Sequence, residues 1–395
     1  MQAQAIRERV HWMGAVDWDR RLFDALIPLP DGTSYNAYLV QGHDKTALLD
    51  TVDPAMTHVL LRQLADVPRI DYLVAQHAEQ DHSGSIPAVL AAHPEAQVVC
   101  TPQGKPLLMS HLGLDRDQFL TVEDGDTLPM GGKTLQFLHT PWVHWPETMS
   151  TYLPEDRILF SCDWFGSHLA TSDPIARDTP RVMEAAKRYY AEIMMPFRRI
   201  IQRNLAKLDG LEIELIAPSH GPIYADPALI LSAYRDWVSD QPRNLALVPY
   251  ISMHGSTRTM VERLVSRLSS QGVPVQQFDL SATDLGKLAI ALVDAATLVI
   301  GTPTFHRGPH PSVFYATHLA NALRPKLAHV AVIGSYGWST QAVEGLSALI
   351  PDLKVEVLPP VLARGLPTEE SLRAVDALAD AIAQRHADQG WALPS

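Results

Sequence analysis

The sequence predicts an α/β protein of two modules: a mixed sheet-and-helix module over 1–242 and a doubly wound parallel sheet over 243–395. Three observations carry this. Beyond residue 243, apolar strands alternate regularly with amphipathic helices, the pattern of a parallel sheet covered on both faces. Before residue 240 the chain mixes short strands, turns and helices without that rhythm. Between them lies SDQPRN (239–244), polar and proline-containing, as expected of a domain boundary.

In the first module, Asp53-Pro54 is a helix start, with Asp capping and Pro at the first helical position ahead of MTHVLLRQL. DYLVAQ (71–76) reads as a buried strand entering a polar loop. Asp124-Gly125 and Gly131-Gly132 mark turns around short β segments, and Pro154-Glu155-Asp156 marks the bend of a hairpin. A helix over 181–208 is expected to kink at Pro196, and LEIELIA (211–217) reads as a strand. In the second module, LALVPY, VPVQQFDL, TLVIG and HVAVIG read as strands, with TMVERLVSRLSSQG a helix that starts near Thr259.

The chain has 395 residues, 46% hydrophobic and 19% charged, an ordinary globular composition rather than a disordered or fibrous one. Lys+Arg 32 against Asp+Glu 44 gives a net charge of −12, so the basic face that nucleic acid requires is not expected. No stretch has the ~20 apolar residues of a membrane span. The first residues lack the apolar core of a signal peptide, and the only cysteines are Cys100 and Cys162. Together these features suit a cytoplasmic protein without a disulfide framework.

Immediately after DYLVAQ, the residues His77, Glu79, Asp81 and His82 place four potential metal ligands within six positions of one loop. Three more sit beside apolar segments: His144 in PWVHWPET, Asp163 in LFSCDWFGSH and His220 in IAPSHGPIY. Alone, each is an ordinary polar residue. Together they supply imidazoles and carboxylates enough for two metal ions about 3.5–4 Å apart, bridged by a carboxylate. Strand alternation turns Cys162 away if Asp163 faces the site, which leaves nitrogen and oxygen donors only.

In the second module, LALVPY leads into Ser252, Met253, His254, Gly255, Ser256 and Thr257, then a helix. Hydroxyls and free N–H groups at a helix N-terminus form an anion site. Without Gly-x-Gly-x-x-Gly, such a loop suits a mononucleotide rather than a dinucleotide. Two further strand ends carry Pro303, Thr304, Phe305 and His306, and Ser335, Tyr336, Gly337 and Trp338. Open α/β sheets bind ligands at those ends, and the aromatic residues offer surface to a flat ring.

The metal loop resembles the His-x-His-x-Asp-His signature of the metallo-β-lactamase fold, an αββα sandwich. Glu79 stands where the second His would be, a hard oxygen donor that favours iron over zinc. With 61 residues from His82 to His144 and 18 more to Asp163, the ligand series resembles that of flavodiiron proteins. The second module resembles flavodoxin, which implies FMN; His254 and His306 depart from the residues expected there. VDWDRRLFD, GTSYNAYLV and KRYYAEIMMPF extend the resemblance over nearly the whole chain.

The resemblance implies an FMN- and diiron-dependent oxidoreductase that reduces dioxygen to water, nitric oxide to nitrous oxide, or both. It assigns His77, Glu79 and His144 to one iron, Asp81 and His220 to the other, and Asp163 to the bridge, with His82 nearby. His139 and His168 are left between a role at the site and a structural one. A separate electron donor such as rubredoxin, with its NAD(P)H reductase, is expected. So is a head-to-tail homodimer or a dimer of dimers. Two other readings compete: a zinc hydrolase with an appended flavodoxin domain, and a non-catalytic flavoprotein electron carrier.

Overall fold

The computed structural model describes residues 2–391. The chain divides into two compact units between Val238 and Ser239.

Besides two small two-stranded sheets, Ala15–Asp17 with Thr33–Tyr35 and Leu22–Phe23 with Ile27–Pro28, the first unit holds two large ones. One has seven strands in the order Gln4–Arg7, Val10–Trp12, Tyr38–Gln41, Thr46–Leu49, Tyr72–Val74, Gln97–Cys100 and Phe119–Thr121. The other has five: Thr127–Pro129, Thr134–His139, Met149–Leu153, Ile158–Cys162 and Leu215–Pro218. Side-chain alternation splits the strands into faces. Val40, Leu49 and Val74 meet Phe137, Leu153 and Phe160 in a core between the sheets. Leu39, Leu48 and Leu73 face the other way, against Leu60, Leu64 and Val89 of the helices. This is the α/β sandwich that the sequence predicts.

Asp53 caps the turn Pro54–Met56 by accepting from the Ala55 N–H (2.9 Å), and the helix Thr57–Leu64 follows. The long helix expected over 181–208 is broken. It runs as Thr179–Tyr189, then a π turn at Tyr190–Met194, a 3-10 turn at Met195–Phe197 and a last helix Arg198–Leu205. Pro196 lacks an N–H, so the helix ladder cannot pass through it. The strand expected over 211–217 is shorter, Leu215–Pro218, because Leu211–Glu214 runs in along the exposed edge before the parallel pairing with Ile158–Cys162 begins.

The second unit is a parallel sheet. Arg243–Tyr250 lies between Val275–Asp279 and Ala295–Phe305; then come His329–Tyr336 and, beside it, Glu356–Val357 and Val361–Arg364. In chain order this is 2-1-3-4-5, a doubly wound sheet whose switch point lies between the first and third strands. Helices Ser256–Ser270 and Glu369–Asp388 cover one face, joined by Arg263–Asp376 (2.6 Å) and Arg267–Asp380 (2.7 Å) ion pairs. Two expectations shift here. The helix begins at Ser256 rather than near Thr259, and Pro303–Phe305 and Ser335–Tyr336 prolong their strands instead of forming loops.

Candidate functional site

The loop that leaves Tyr72–Val74 is drawn inward by Asp50, whose carboxylate accepts from the Gln76 backbone N–H (2.8 Å) and side-chain amide (2.7 Å). His77 and Glu79 follow, and the short helix Gln80–Ser83 carries Asp81 and His82. His144 comes from the loop before Met149–Leu153; Asp163 and His220 sit just past Ile158–Cys162 and Leu215–Pro218. All seven converge in one place. His77, His82, Asp163 and His220 are each 1% exposed.

Asp163 divides the seven into two sets. Its Oδ2 lies 3.6 Å from His77 Nε2 and 3.4 Å from His144 Nε2, and both imidazoles approach Glu79 Oε2, at 3.1 and 3.2 Å. Its Oδ1 lies 3.1 Å from His82 Nε2 and 3.3 Å from His220 Nε2; these meet Asp81 at 3.4 and 3.1 Å. Each set therefore holds two imidazoles and one carboxylate, with Asp163 between them. Metal–ligand bonds of about 2.0–2.2 Å put neighbouring donor atoms roughly 3–3.5 Å apart, so these are the spacings of donors around an ion.

Hydrogen bonding tells the same way. Both oxygens of Asp81, both ring nitrogens of His82 and Oδ1 of Asp163 are buried without a hydrogen-bond partner. Buried polar atoms are nearly always paired, so five orphans at one point are groups arranged for something other than one another. Two of the imidazoles are oriented from behind. His77 Nδ1 donates to Glu147 Oε1 (2.7 Å) and His220 Nδ1 to the Ser34 carbonyl (2.8 Å), which leaves each Nε2 lone pair aimed at the centre.

Charge is correspondingly concentrated. Burial opposes protonation of His144, but Asp163 and Glu79 outweigh it and push its pKa up to about 10. Burial likewise opposes His77 and His82, yet Glu147 and Glu79 raise the first, and Asp163 and Asp81 carry the second well up. Glu79 and Asp163 are held well below the carboxylate range by the imidazoles, against the opposing effect of burial.

Cys162 belongs to neither set, but strand alternation does not simply turn it away. A register shift after Phe160 and a left-handed φ of +53° bring its sulfur within 4.8 Å of donor atoms of Asp50 and His82. Burial, then Asp50, keeps it a neutral thiol.

In the second unit a cavity of about 530 Å³ opens at the strand ends. Thirteen of the fourteen residues singled out there line it: Ser252, Met253, His254, Ser256, Thr257, Pro303, Thr304, Phe305, His306, Ser335, Tyr336, Gly337 and Trp338. The fourteenth, Gly255, shapes the loop from outside the lining, at φ +92° before the helix. Ser252 Oγ accepts from the N–H groups of Gly255 and Arg258, both at 3.2 Å, which folds the loop over the helix start. Hydroxyls and helix N–H groups at one end, and Tyr336 and Trp338 at the other, fit a phosphate carrying a flat ring. Trp338 is 76% exposed, so the ring end opens to the surface.

Residues 33–221 match the family model described as ODP family beta lactamase. The chain is 36% identical to a nitric oxide reductase of Moorella thermoacetica, over 98% of this chain and 100% of that one. The chain belongs to the flavodiiron family. Its fold superposes on rubredoxin oxygen:oxidoreductase from Desulfovibrio gigas with a TM-score of 0.93 at 30% identity, covering 97% and 98% of the two chains. It superposes on the flavodiiron protein of Giardia intestinalis with a TM-score of 0.89 at 28% identity, covering 98% and 97%. Membership in this family makes the chain an oxidoreductase and implies a flavin and a diiron centre.

Within that frame, several residues escape sequence reasoning. Glu147, three positions beyond His144, was the most accessible, since a carboxylate in the same loop is a natural partner for a ligand imidazole. Asp50 gave no local signal. Gly365 and Leu366, which also line the flavin-module cavity, follow a fifth strand that periodicity alone does not single out. Of the two ambiguous histidines, His139 binds the Val122 carbonyl (3.0 Å) and is structural. His168 lies tilted against His220, ring centroids 5.0 Å apart, and is held neutral by burial and by the His220 charge.

Proposed function

We propose that this protein reduces dioxygen to water, nitric oxide to nitrous oxide, or both, at two iron ions fed with electrons by FMN. His77, Glu79 and His144 would hold one iron, Asp81, His82 and His220 the other, and Asp163 would span the two. The observation that carries the reading is the split of Asp163, one oxygen toward each set of two imidazoles and a carboxylate. Two imidazoles and a carboxylate on one face are the donor set of ferrous oxygen chemistry, with positions left open for a small molecule. When bound, the iron pair supplies reversible redox chemistry and an open site for a diatomic gas, and FMN supplies the electrons that refill it.

The chain's own residues do the rest. Glu147 and the Ser34 carbonyl fix the tautomers of His77 and His220. Phe23, Tyr35 and Trp145 pack edge-on against the imidazoles and keep bulk water from the centre. In the second unit, the Ser252–Thr257 loop would bind the phosphate of FMN, and Tyr336 and Trp338 would face its ring. Dioxygen takes four electrons and four protons to two waters; two nitric oxides take two of each to nitrous oxide and water. The D. gigas protein is named for rubredoxin, which supports a small redox protein as donor. A head-to-tail pair of copies would bring the flavin of one to the metal centre of the other.

The test is anaerobic. Purified protein is fully reduced, and its turnover with each gas is compared at equal flavin and iron content. Consumption of at least one gas is expected; iron-loaded, fully reduced protein that consumes neither would refute the reading.

A further inference from the structure

Away from the seven clustered ligands and the cavity, two more imidazoles are buried together in the second unit. They meet near the starts of the parallel strands, the opposite edge of the sheet from the strand ends that open the cavity. His386 lies in the last turn of the helix Glu369–Asp388 and is 0% exposed. Its Nδ1 is 2.8 Å from Asn244 Oδ1, and its Nε2 is 2.7 Å from Thr297 Oγ1. Asn244 turns its amide nitrogen to the Gly272 carbonyl (2.9 Å), so the oxygen faces His386 and can only accept. His386 Nδ1 therefore carries the hydrogen, and the Nε2 lone pair accepts from the Thr297 hydroxyl. That pattern suits the neutral ring. A proton on Nε2 would meet a buried hydroxyl that already points its own proton there.

His329 opens the strand His329–Tyr336 and lies beside His386, with ring centroids 6.4 Å apart and planes 27° from parallel. Its Nδ1 is 3.3 Å from Glu356 Oε2 but off the line of a hydrogen bond, so neither of its ring nitrogens is satisfied. Glu356 is held instead by Arg385, at 2.7 and 3.1 Å. Trp391 closes over both rings, 5.4 Å from His386 and 6.1 Å from His329, and its backbone N–H donates to the His386 carbonyl (3.0 Å). Other charges on the surrounding elements are engaged. Arg243 pairs with Asp294 (3.7 Å), Lys326 donates to Ser239 (3.3 Å) and Asp388 accepts from Gln384 (2.7 Å). Among the described residues, that leaves Glu356 to balance a charge on the imidazole pair, and Arg385 already offsets it.

We propose that His329 and His386 form an acid-sensitive latch, which in its neutral form holds the last turn of the helix Glu369–Asp388 on the sheet and releases it when either ring is protonated. The device is independent of the activity proposed above. A buried imidazolium without a partner is costly, so protonation favours whichever state returns the ring to water. Burial, then the neighbouring His329, lowers the His386 pKa to about 4. Burial lowers that of His329 too, with Glu356 opposing and Arg385 adding to the effect. In a released turn the rings titrate in the ordinary range, near about 6.5. The docked turn thus binds fewer protons than the released one. Its stability is full above about pH 6.5 and is lost as the pH falls towards 4. The same helix pairs through Asp376 and Asp380 with Ser256–Ser270, whose first residues line the cavity, so the latch sits on the support of that cavity.

The test is hydrogen–deuterium exchange of the full-length holoprotein, read by mass spectrometry on peptides spanning 381–391 and corrected for the intrinsic exchange rate at each pH. Titration near about 6.5 when released and about 4 when docked predicts that protection of this turn drops about 20-fold between pH 7 and pH 5. The double variant His329→Phe, His386→Gln removes both titrating rings and should lose most of that pH dependence, even if its turn is less well docked at pH 7. Protection that is the same at pH 7 and pH 5 overturns the latch. So does a fall spread evenly over the second unit, which is acid unfolding of the whole rather than release of one turn. A fall that persists undiminished in the double variant also overturns it, because other groups would then be responsible. If the double variant does not fold, the native contrast between this turn and the rest of its unit still decides.

Discussion

His77 turns only one free nitrogen to the cluster because its other ring N–H donates to the Glu147 carboxylate. Replacing Glu147 by Gln keeps the shape and removes the charge that makes the imidazole a strong donor. Metal affinity should fall about tenfold or more, with flavin content unchanged, as read by competition with a chelator. The same cluster sets a pH dependence. His77, His82 and His144 hold protons above the ordinary imidazole range, His144 up to about 10, whereas a metal ligand must be neutral. Binding must expel those protons, so affinity should rise with pH through the neutral range. Calorimetry of ferrous iron binding to metal-free protein, in two buffers of different ionisation enthalpy, should report net proton release at pH 7. The seven clustered residues were legible in the sequence because four share one loop and the others end apolar strands. Asp50 was not, because its partners Gln76 and Ser219 lie far away in the chain and a lone aspartate carries no pattern.

Among the elements, periodicity made the parallel strands of the second unit readable, since the runs LALVPY, TLVIG and HVAVIG are apolar and helices follow them. What it could not supply was where a strand stops being a strand. Pro303–Phe305 read as a loop from their residue types, yet the ladder with His329–Tyr336 runs through Pro303. Cys162 shows the same limit: alternation fails at a bulge, and a bulge leaves little trace in the residues themselves. The phosphate loop depends on one backbone feature. Gly255 stands at φ +92° with no atom within 4 Å of an added Cβ, so a methyl there meets no clash and costs only backbone strain. Gly255→Ala should therefore weaken FMN binding about tenfold, equivalent to the ~1–2 kcal/mol penalty of a left-handed non-glycine residue. Fluorescence quenching of added FMN would measure it.

For the whole molecule, the two chemistries are housed separately. The seven clustered side chains lie in the first unit, and the cavity lined by Ser256, Thr257, Tyr336 and Trp338 lies in the second. Changing Glu79 to Ala should strip metal and leave the yellow flavin, whereas a Ser256→Ala, Thr257→Ala double variant should do the reverse. Iron and flavin assays on the same preparations would check this; parallel losses of both cofactors would mean that the units do not fold independently. The boundary was legible because a polar, proline-containing stretch separates two patterns of different rhythm.

The most direct measurement is elemental analysis with Mössbauer spectroscopy on protein reconstituted anaerobically with ferrous iron, native and Asp163→Ala side by side. A carboxylate shared by two ions predicts about two irons per native chain, exchange-coupled when oxidised, and loss of both the coupling and most of the iron in the variant. Native protein that takes up fewer than one iron per chain, or that retains a coupled pair without Asp163, would contradict the account.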